Sequence, residues 1–202
     1  MDKIKNMVFD FGKVLVGYDF EPFMCSLFSD PEERSRFKSV FIGHDFVAKC
    51  DKGDKSFHDL ILEYQQIYPQ WKEQIGRFEF HQLPVMTGEM PGMKDLLLRL
   101  RAAGYKLYGL TNWSAEVYKV IDKYEILRML DGRVISSEEK IIKPSVEIYQ
   151  CLCSRYGLKP QECLFTDDKQ RNVDGAIAAG MQAVVFTDAA KFEEYLIKQK
   201  LL

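Results

Sequence analysis

Short apolar runs alternate with helical patterns along the second half of the chain. The segment "PGMKDLLLRLRAAG" predicts a helix that begins near Pro91 and ends before Gly104, with an apolar face formed by Met93, Leu96, Leu97 and Leu100. Strand-like runs follow, each separated from the next by a helical pattern, at residues 105–111, 133–137, 163–167 and 182–187. This alternation predicts an α/β fold with a parallel, doubly wound sheet and a ligand site at the carboxyl ends of its strands.

The first part of the chain has a different pattern. The run "MVFDFGKVLV" predicts a strand that ends at Asp10. Between about Tyr18 and Leu83, aromatic and charged residues recur at helical spacings, and little of this segment is typical of a strand. We therefore expect a small helical domain at residues 18–83, inserted into an α/β core domain formed by residues 1–17 and 84–202.

The composition narrows the class of protein. The 202 residues are 47% hydrophobic, which is ample for a core, and the net charge of −2 shows no electrostatic footprint for nucleic acid. The five cysteines form no pattern of disulfides or zinc ligands. No apolar stretch has the length that spans a bilayer, and the N-terminus has no cleavage site. We expect a soluble, cytoplasmic protein, a monomer or weak dimer, that binds neither nucleic acid nor a membrane.

Polar residues with possible chemical roles collect where the predicted strands end. Asp10 ends the first strand, Thr111 ends the second, and Lys143 precedes a helix that opens with proline. Each of these could simply cap a turn or a helix. The adjacent pair Asp167–Asp168 is harder to explain in that way, because two like charges at a buried strand end need a cation or hydrogen bonds.

Taken together, four segments resemble the sequence motifs of the haloacid dehalogenase-like (HAD) hydrolase superfamily, in the same order: "FDFGKVLV", "GLTN", "IIKPSVEIY" and "LFTDDKQRNVDGAIAAGM". The resemblance covers nearly the whole chain. It implies a Rossmann-like parallel sheet with an inserted small helical cap domain. The opening motif is similar to that of bacterial sugar-phosphate phosphatases, among them alpha-glucose-1-phosphate phosphatase.

The resemblance implies a role for each of these residues. Asp10 would attack phosphorus and form an aspartyl-phosphate. Mg²⁺ would be bound by the Asp10 carboxylate, the Gly12 backbone carbonyl and the Asp168 carboxylate, with Asp167 in or near that shell. The phosphoryl oxygens would be bound by Thr111, the backbone amide of Asn112 and the Lys143 ammonium group.

Asn172 and His44 are expected to lie in the neighbourhood of this site. Asn172, one turn beyond Asp168, is expected to orient the loop rather than to bind metal. In the predicted cap, the stretch "FIGHDFVAKCDKGD" is expected to face the site, where His44 could donate to a substrate hydroxyl or act as an acid. The alternating charges of "KCDKGDK" within it are typical of a solvated loop.

Many HAD phosphatases have a second aspartate two residues after the nucleophile, which protonates the leaving oxygen, and here that position is Gly12. Three interpretations remain open. In the first, the protein is a phosphatase that uses a substitute acid or water. In the second, it is a 2-haloacid dehalogenase, because a halide leaves without a proton. In the third, it is a catalytically weak HAD-fold binding protein. The retained Asp167–Asp168 pair favours the first. We therefore expect a magnesium-dependent phosphatase that acts on a small phosphorylated metabolite, a sugar phosphate by analogy.

Overall fold

The computed structural model describes residues 3–78 and 85–202, without the side chains of residues 43–45. Its central element is a five-stranded sheet in the order β5-β4-β1-β6-β7, in which all neighbouring strands are parallel. A second sheet pairs β2 with β3 in antiparallel orientation. The strands are β1 (Asn6–Phe9), β2 (Val16–Tyr18), β3 (Met86–Glu89), β4 (Lys106–Thr111), β5 (Gly132–Ile135), β6 (Cys163–Asp167) and β7 (Gln182–Val185). The α/β fold with a parallel sheet is therefore confirmed.

Helices cover both faces of the five-stranded sheet. They are α6 (Met93–Ala102), α7 (Val117–Lys123), α8 (Glu125–Arg128), α9 (Ser136–Glu139), α10 (Val146–Tyr156), α11 (Gln170–Ala178) and α12 (Ala189–Lys198). The predicted apolar face of α6 is confirmed, because Met93, Leu96, Leu97 and Leu100 are all buried. Within β1 the side chains alternate between two hydrophobic clusters, with Phe9 in one and Val8 in the other.

The predicted strand at 133–137 ends two residues too late. Ser136 and Ser137 form the start of α9. The reason is tertiary, since the Ser136 hydroxyl accepts a hydrogen bond from the backbone N–H of Trp113 at 3.0 Å and donates one to the backbone carbonyl of Asp51. A pattern of local hydrophobicity contains no sign of such partners.

The segment between β2 and β3 is helical in its described part, as expected. Its elements are α1 (Glu21–Leu27), α2 (Pro31–Phe37), a π-helical stretch (Lys38–Phe46), α3 (Val47–Lys52), α4 (Phe57–Ile67), a 3₁₀ turn (Pro69–Trp71) and α5 (Lys72–Arg77). It has its own aromatic core, in which the rings of Phe41 and Phe46 lie 4.3 Å apart. This segment is the inserted helical cap. Its limits at residues 18 and 83 stay predictions, and position 83 lies outside the described residues.

The antiparallel ribbon of β2 and β3 joins the cap to the α/β core and was missed in the sequence. Val16 pairs with Glu89 and Gly17 with Gly88, so the two strands are about seventy residues apart along the chain. Each has only three or four residues. Such short strands show no usable alternation, and their pairing depends on the fold around them.

None of the helices in the described ranges combines the length and the hydrophobicity needed to cross a membrane.

Candidate active site

The residues singled out in the sequence meet at one edge of the five-stranded sheet. Strand β1 lies between β4 and β6, and the carboxyl ends of the three parallel strands point to the same edge. Asp10 follows β1, Thr111 is the last residue of β4, and Asp167 is the last residue of β6. All three side chains are buried. The expected ligand site at the carboxyl ends of the strands is therefore a real cluster of polar groups.

Lys143 holds two of the carboxylates together. Its Nζ lies 2.9 Å from Asp10 Oδ1 and 2.7 Å from Asp167 Oδ2, and it donates a further hydrogen bond of 2.8 Å to the carbonyl oxygen of Leu110. The side chain is only 1% exposed. Burial alone would lower the pKa of Lys143, but the two carboxylates outweigh it and raise that pKa, so the ammonium group stays charged.

Asp10 is buried beside this cation. Burial is the largest influence on its carboxyl and raises the pKa of Asp10 above its ordinary value, while the charge of Lys143 acts in the opposite direction. The backbone N–H of Asp10 donates to the carbonyl oxygen of Thr166 at 3.0 Å, which extends the pairing of β1 with β6. The carboxylate is thus fixed at the strand end, next to a positive charge.

Asp167 differs from its neighbour Asp168 in its hydrogen bonding. Both oxygens of Asp167 accept hydrogen bonds of 2.9 Å from Asn172 Nδ2, and Oδ1 also accepts one of 2.9 Å from the backbone N–H of Lys169. With the ammonium group of Lys143 on Oδ2, Asp167 is fully engaged. Asn172 therefore lies where it can orient this loop, as the sequence suggested. We interpret Asp167 as the residue that positions Lys143.

Asp168 has an oxygen that is still free. Its Oδ1 is buried and has no hydrogen-bond partner among the residues that the structure describes. Burial is also the main cause of the raised pKa of Asp168. One oxygen each of Asp10, Asp167 and Asp168 lie within 4.8 Å of one another. Hard oxygen donors at this spacing, one of them otherwise unsatisfied, fit a magnesium ion. The expected ligands Asp10 and Asp168 are therefore close enough to share one ion.

The packing around Gly12 leaves little room for a side chain unless the Tyr18 ring moves. A Cβ atom built there would lie 2.8 Å from Cε1 of Tyr18 and 3.8 Å from Cζ3 of Trp113. The tyrosine ring, supplied by β2, occupies the space that a second aspartate would need. The backbone carbonyl of Gly12 is unaffected by this exclusion, so its role as a metal ligand stays a prediction.

Thr111 and Asn112 have different surroundings. The Thr111 hydroxyl is buried and without a hydrogen-bond partner within the described ranges, so it is free to donate to a ligand oxygen. The Asn112 side chain instead binds the backbone of Lys143. Its Oδ1 accepts from the N–H of Lys143 at 2.7 Å, and its Nδ2 donates to the carbonyl oxygen of Lys143 at 3.0 Å. The sequence contains no sign of these two hydrogen bonds, and the role expected for Asn112 concerned its backbone amide.

The cap closes this edge of the sheet and leaves a cavity of about 340 Å³. Asp10, Thr111 and Lys143 line its floor, whereas its walls are largely apolar and aromatic, formed by Tyr18, Phe20, Ile42, Phe46, Val47, Phe57 and Trp113. The side chain of His44, expected to face the site, lies outside the described residues. The cap contributes Asp51, which belongs to the stretch expected to face the site and to the part of it whose charges are typical of a solvated loop.

Comparisons with known proteins agree with this geometry. The family model described as haloacid dehalogenase-like hydrolase matches residues 4–180. The chain is 30% identical over 100 residues to flavin mononucleotide hydrolase 1 of Arabidopsis thaliana. The matched segment covers 50% of this chain and 41% of that protein. It is 31% identical over 106 residues to (S)-2-haloacid dehalogenase 4A of Burkholderia cepacia. That segment covers 52% of this chain and 46% of the dehalogenase. The chain thus spans about half the length of the curated relatives it matches.

A solved structure extends the comparison to the whole fold. The HAD family enzyme of Bacteroides thetaiotaomicron, in complex with magnesium and inorganic phosphate, has a TM-score of 0.71 and 20% identity, covering 92% of this chain and 95% of that one. At this level of identity the likeness concerns the fold alone. The family model is the stronger finding, because its match extends from the residues before β1 to the end of α11. The chain therefore belongs to the haloacid dehalogenase-like hydrolase family.

Proposed function

We propose that this protein is a magnesium-dependent phosphatase that hydrolyses a small phosphorylated metabolite through an aspartyl-phosphate on Asp10. The observation that carries the proposal is the charge balance at the sheet edge. One oxygen each of three carboxylates lies within 4.8 Å of the others, and among the described residues the ammonium group of Lys143 forms ion pairs with two of them. A divalent cation would neutralise the remaining negative charge, and a phosphate dianion could then approach.

The residues of this chain divide the reaction between them. The Asp10 carboxylate attacks phosphorus, and the ester oxygen leaves on the opposite side. Lys143 and the free Thr111 hydroxyl bind the phosphoryl oxygens as negative charge spreads over them. Asp167 holds the side chain of Lys143 in place, and Asn112 holds its backbone. When bound by Asp10, Asp168 and the Gly12 carbonyl, magnesium would supply further positive charge at the phosphoryl group.

Magnesium as the cofactor also draws support from the enzyme of Bacteroides thetaiotaomicron, which was solved with magnesium and inorganic phosphate. We expect phosphate release from p-nitrophenyl phosphate in the presence of Mg²⁺ and none after addition of EDTA. Mg²⁺ should also raise the melting temperature, because an ion that binds only the folded state stabilises it by about 2.7 kcal/mol at a hundred times its Kd.

The variant Asp168→Asn tests the ion site directly. It removes one charge from the proposed ligand set, so both the magnesium-dependent activity and the thermal shift should be lost. Asp174→Asn, at an exposed position on α11, is the matched control and should keep both. Turnover that persists unchanged in EDTA would contradict a magnesium-dependent phosphatase.

The dehalogenase remains the second candidate, because Gly12 cannot protonate a leaving group and a halide needs no proton. Chloride release from a 2-chloro acid, without magnesium, would identify that activity. A protein that releases neither phosphate nor chloride would be the catalytically weak binding protein.

The cavity also bears on the organic part of the substrate. A sugar phosphate, expected by analogy, would present several hydroxyl groups to walls formed mainly by aromatic and aliphatic side chains. Buried hydroxyl groups without partners cost free energy, whereas apolar groups gain it in such a cavity. The lining therefore favours a phosphate monoester with a largely apolar body.

Hexyl phosphate and glucose 6-phosphate form a suitable pair for testing this preference, since both are primary alkyl monoesters with the same number of carbon atoms. We expect kcat/KM to be at least about 10-fold higher for hexyl phosphate, because each buried methylene contributes about 0.8 kcal/mol. Val47→Asn, which places an amide on the cavity wall, should reduce the difference, whereas Leu98→Asn, an exposed apolar position on α6, should not. Equal or better turnover of the sugar phosphate would favour the original expectation.

A further inference from the structure

The proposed phosphatase lacks an acid at position 12, and the cavity contains a group that can replace it. Asp51 is in the last turn of α3 in the cap, and it lines the same cavity as Asp10 and Gly12. Its side chain is partly exposed, but it faces this cavity. Its carboxyl group has no hydrogen bond or ion pair with any residue in the described ranges. A polar group in this position is available to a substrate.

The cap backbone holds Asp51 against the segment that follows β4. The buried Ser136 hydroxyl donates to the backbone carbonyl of Asp51 and accepts from the N–H of Trp113, two residues after Thr111. One hydroxyl therefore joins the Asp51 backbone to the segment that directly follows Thr111. Gly53, the residue after α3, allows the cap backbone to approach Ser137 closely. Gly53 has a φ of 69°, and a Cβ atom there would lie 2.7 Å from the carbonyl oxygen of Ser137.

We propose that Asp51 is the general acid and base of the reaction, supplied by the cap in place of the aspartate that Gly12 lacks. This inference rests on the proposed phosphatase function. In the first displacement, the Asp10–phosphorus bond forms as the bond from phosphorus to the ester oxygen breaks, and the Asp51 carboxyl gives its proton to that oxygen. In the second, the Asp51 carboxylate takes a proton from water, whose oxygen attacks phosphorus and displaces Asp10.

The electrostatic surroundings of Asp51 agree with this role. Burial raises the pKa of Asp51 to about 7, so both forms of the carboxyl are populated near neutral pH. A general acid and base is most effective when its pKa lies near the working pH. The titratable and charged groups that act most strongly on Asp51, or are influenced by it, include Asp10, Tyr18, Cys50, Lys143, Lys169 and Arg171.

Tyr18 and Cys50 are two further protic side chains that line the cavity. Burial and the carboxylates around it raise the pKa of Tyr18 to about 12. Burial also raises the pKa of the Cys50 thiol. Both groups are therefore weaker acids than Asp51 near neutral pH, although the ring of Tyr18 is the group that fills the space beside Gly12.

The test compares two leaving groups in the variant Asp51→Asn. p-Nitrophenolate leaves without a proton, whereas the alkoxide of hexyl phosphate needs one. We expect kcat/KM to fall by about 10²–10⁴-fold for hexyl phosphate, the usual contribution of general acid catalysis, and by less than about 10-fold for p-nitrophenyl phosphate. With p-nitrophenyl phosphate the variant should also accumulate phosphoenzyme, because no base activates the water of the second step.

The pH dependence gives an independent readout. The protonated carboxyl exists below its pKa, so kcat/KM of the unmodified protein for hexyl phosphate should decline as the pH rises through about 7. This decline should be absent in Asp51→Asn. Asp51→Glu keeps an acid on a longer side chain and should recover part of the lost activity. Asp54→Asn is the control, because Asp54 is exposed just after α3 and pairs with Lys52 at 2.7 Å.

The outcomes separate this inference from the proposed function. An equal loss on both substrates, or no loss on either, would overturn the assignment of Asp51 while leaving the phosphatase intact. If the unmodified protein released no phosphate from any monoester, the proposed function itself would fail, and the assignment with it. Thermal unfolding of each variant identifies a loss of activity that comes from misfolding.

Discussion

Asp10→Asn should abolish phosphate release while leaving the protein folded. Asparagine has nearly the same shape as aspartate, but its amide cannot attack phosphorus or form the covalent intermediate. Removal of a nucleophile typically costs on the order of 10⁴–10⁶-fold in kcat. The fold should tolerate the change, because Lys143 keeps its contact with Asp167 at 2.7 Å. The measurement is phosphate release from p-nitrophenyl phosphate with Mg²⁺.

Asp174→Asn is the matched control for this experiment, since it makes the same chemical change on the exposed surface of α11. It should retain full activity. A variant at position 10 that kept more than about one hundredth of the wild-type kcat would show that Asp10 is not the nucleophile.

Lys143→Met should affect both activity and stability. Methionine fills much of the volume of the lysine side chain but removes a charge that contacts Asp10 and Asp167 in a buried site. Two carboxylates would then face each other without their cation. Breaking a buried ion pair in this way costs about 3–5 kcal/mol of unfolding free energy. The loss of a positive charge at the phosphoryl group should reduce kcat by about 10²–10³-fold.

The stability effect of Lys143→Met should depend on pH in a defined direction. Burial already raises the pKa of Asp10, and removal of the lysine would raise that pKa further. The folded state then binds more protons than the unfolded chain, so its stability falls as the pH rises from the unfolded-state value of Asp through the folded-state value. Urea denaturation near neutral pH should show the full loss, and mildly acidic pH should reduce it. Lys159→Met is the control and should change neither stability nor kcat, because the Lys159 side chain is 74% exposed. Unaltered stability of Lys143→Met would contradict the ion network.

The sequence contained enough information to place the residues at the sheet edge. Apolar runs and helical spacing give the order of strands and helices, and the carboxyl ends of adjacent parallel strands meet at one edge. Asp10, Thr111 and Asp167 could therefore be brought together without coordinates. The buried face of α6 could also be predicted, since its apolar residues recur at the spacing of a helix.

Features that depend on the packing of distant segments could not be predicted. The ribbon of β2 and β3 joins residues about seventy positions apart, and its position places the Tyr18 ring beside Gly12. The stretch expected to face the site includes Asp51, but the charge pattern around Asp51 is that of a solvated loop, and only the folded cap shows that this residue itself lines the cavity. The two hydrogen bonds from Asn112 to the backbone of Lys143 likewise join residues that have no local relation in the sequence.

Gly12 therefore has a structural explanation and a functional consequence. The space beside it is filled by the Tyr18 ring from the ribbon of β2 and β3, so an acid at this position would require that ring to move. A phosphatase with this packing needs its proton donor from another element. The cap can supply it, because it closes over Asp10 and brings Asp51 to the cavity.

Trapping the covalent intermediate tests the central claim most directly. A phosphate monoester labelled at phosphorus would be mixed with the protein and Mg²⁺, quenched in acid within the first turnover and digested for mass spectrometry. The account predicts one phosphoryl group on the peptide that contains Asp10, which is released by hydroxylamine and is absent from Asp10→Asn. Steady turnover with no labelled protein, or a label on another residue, would contradict it.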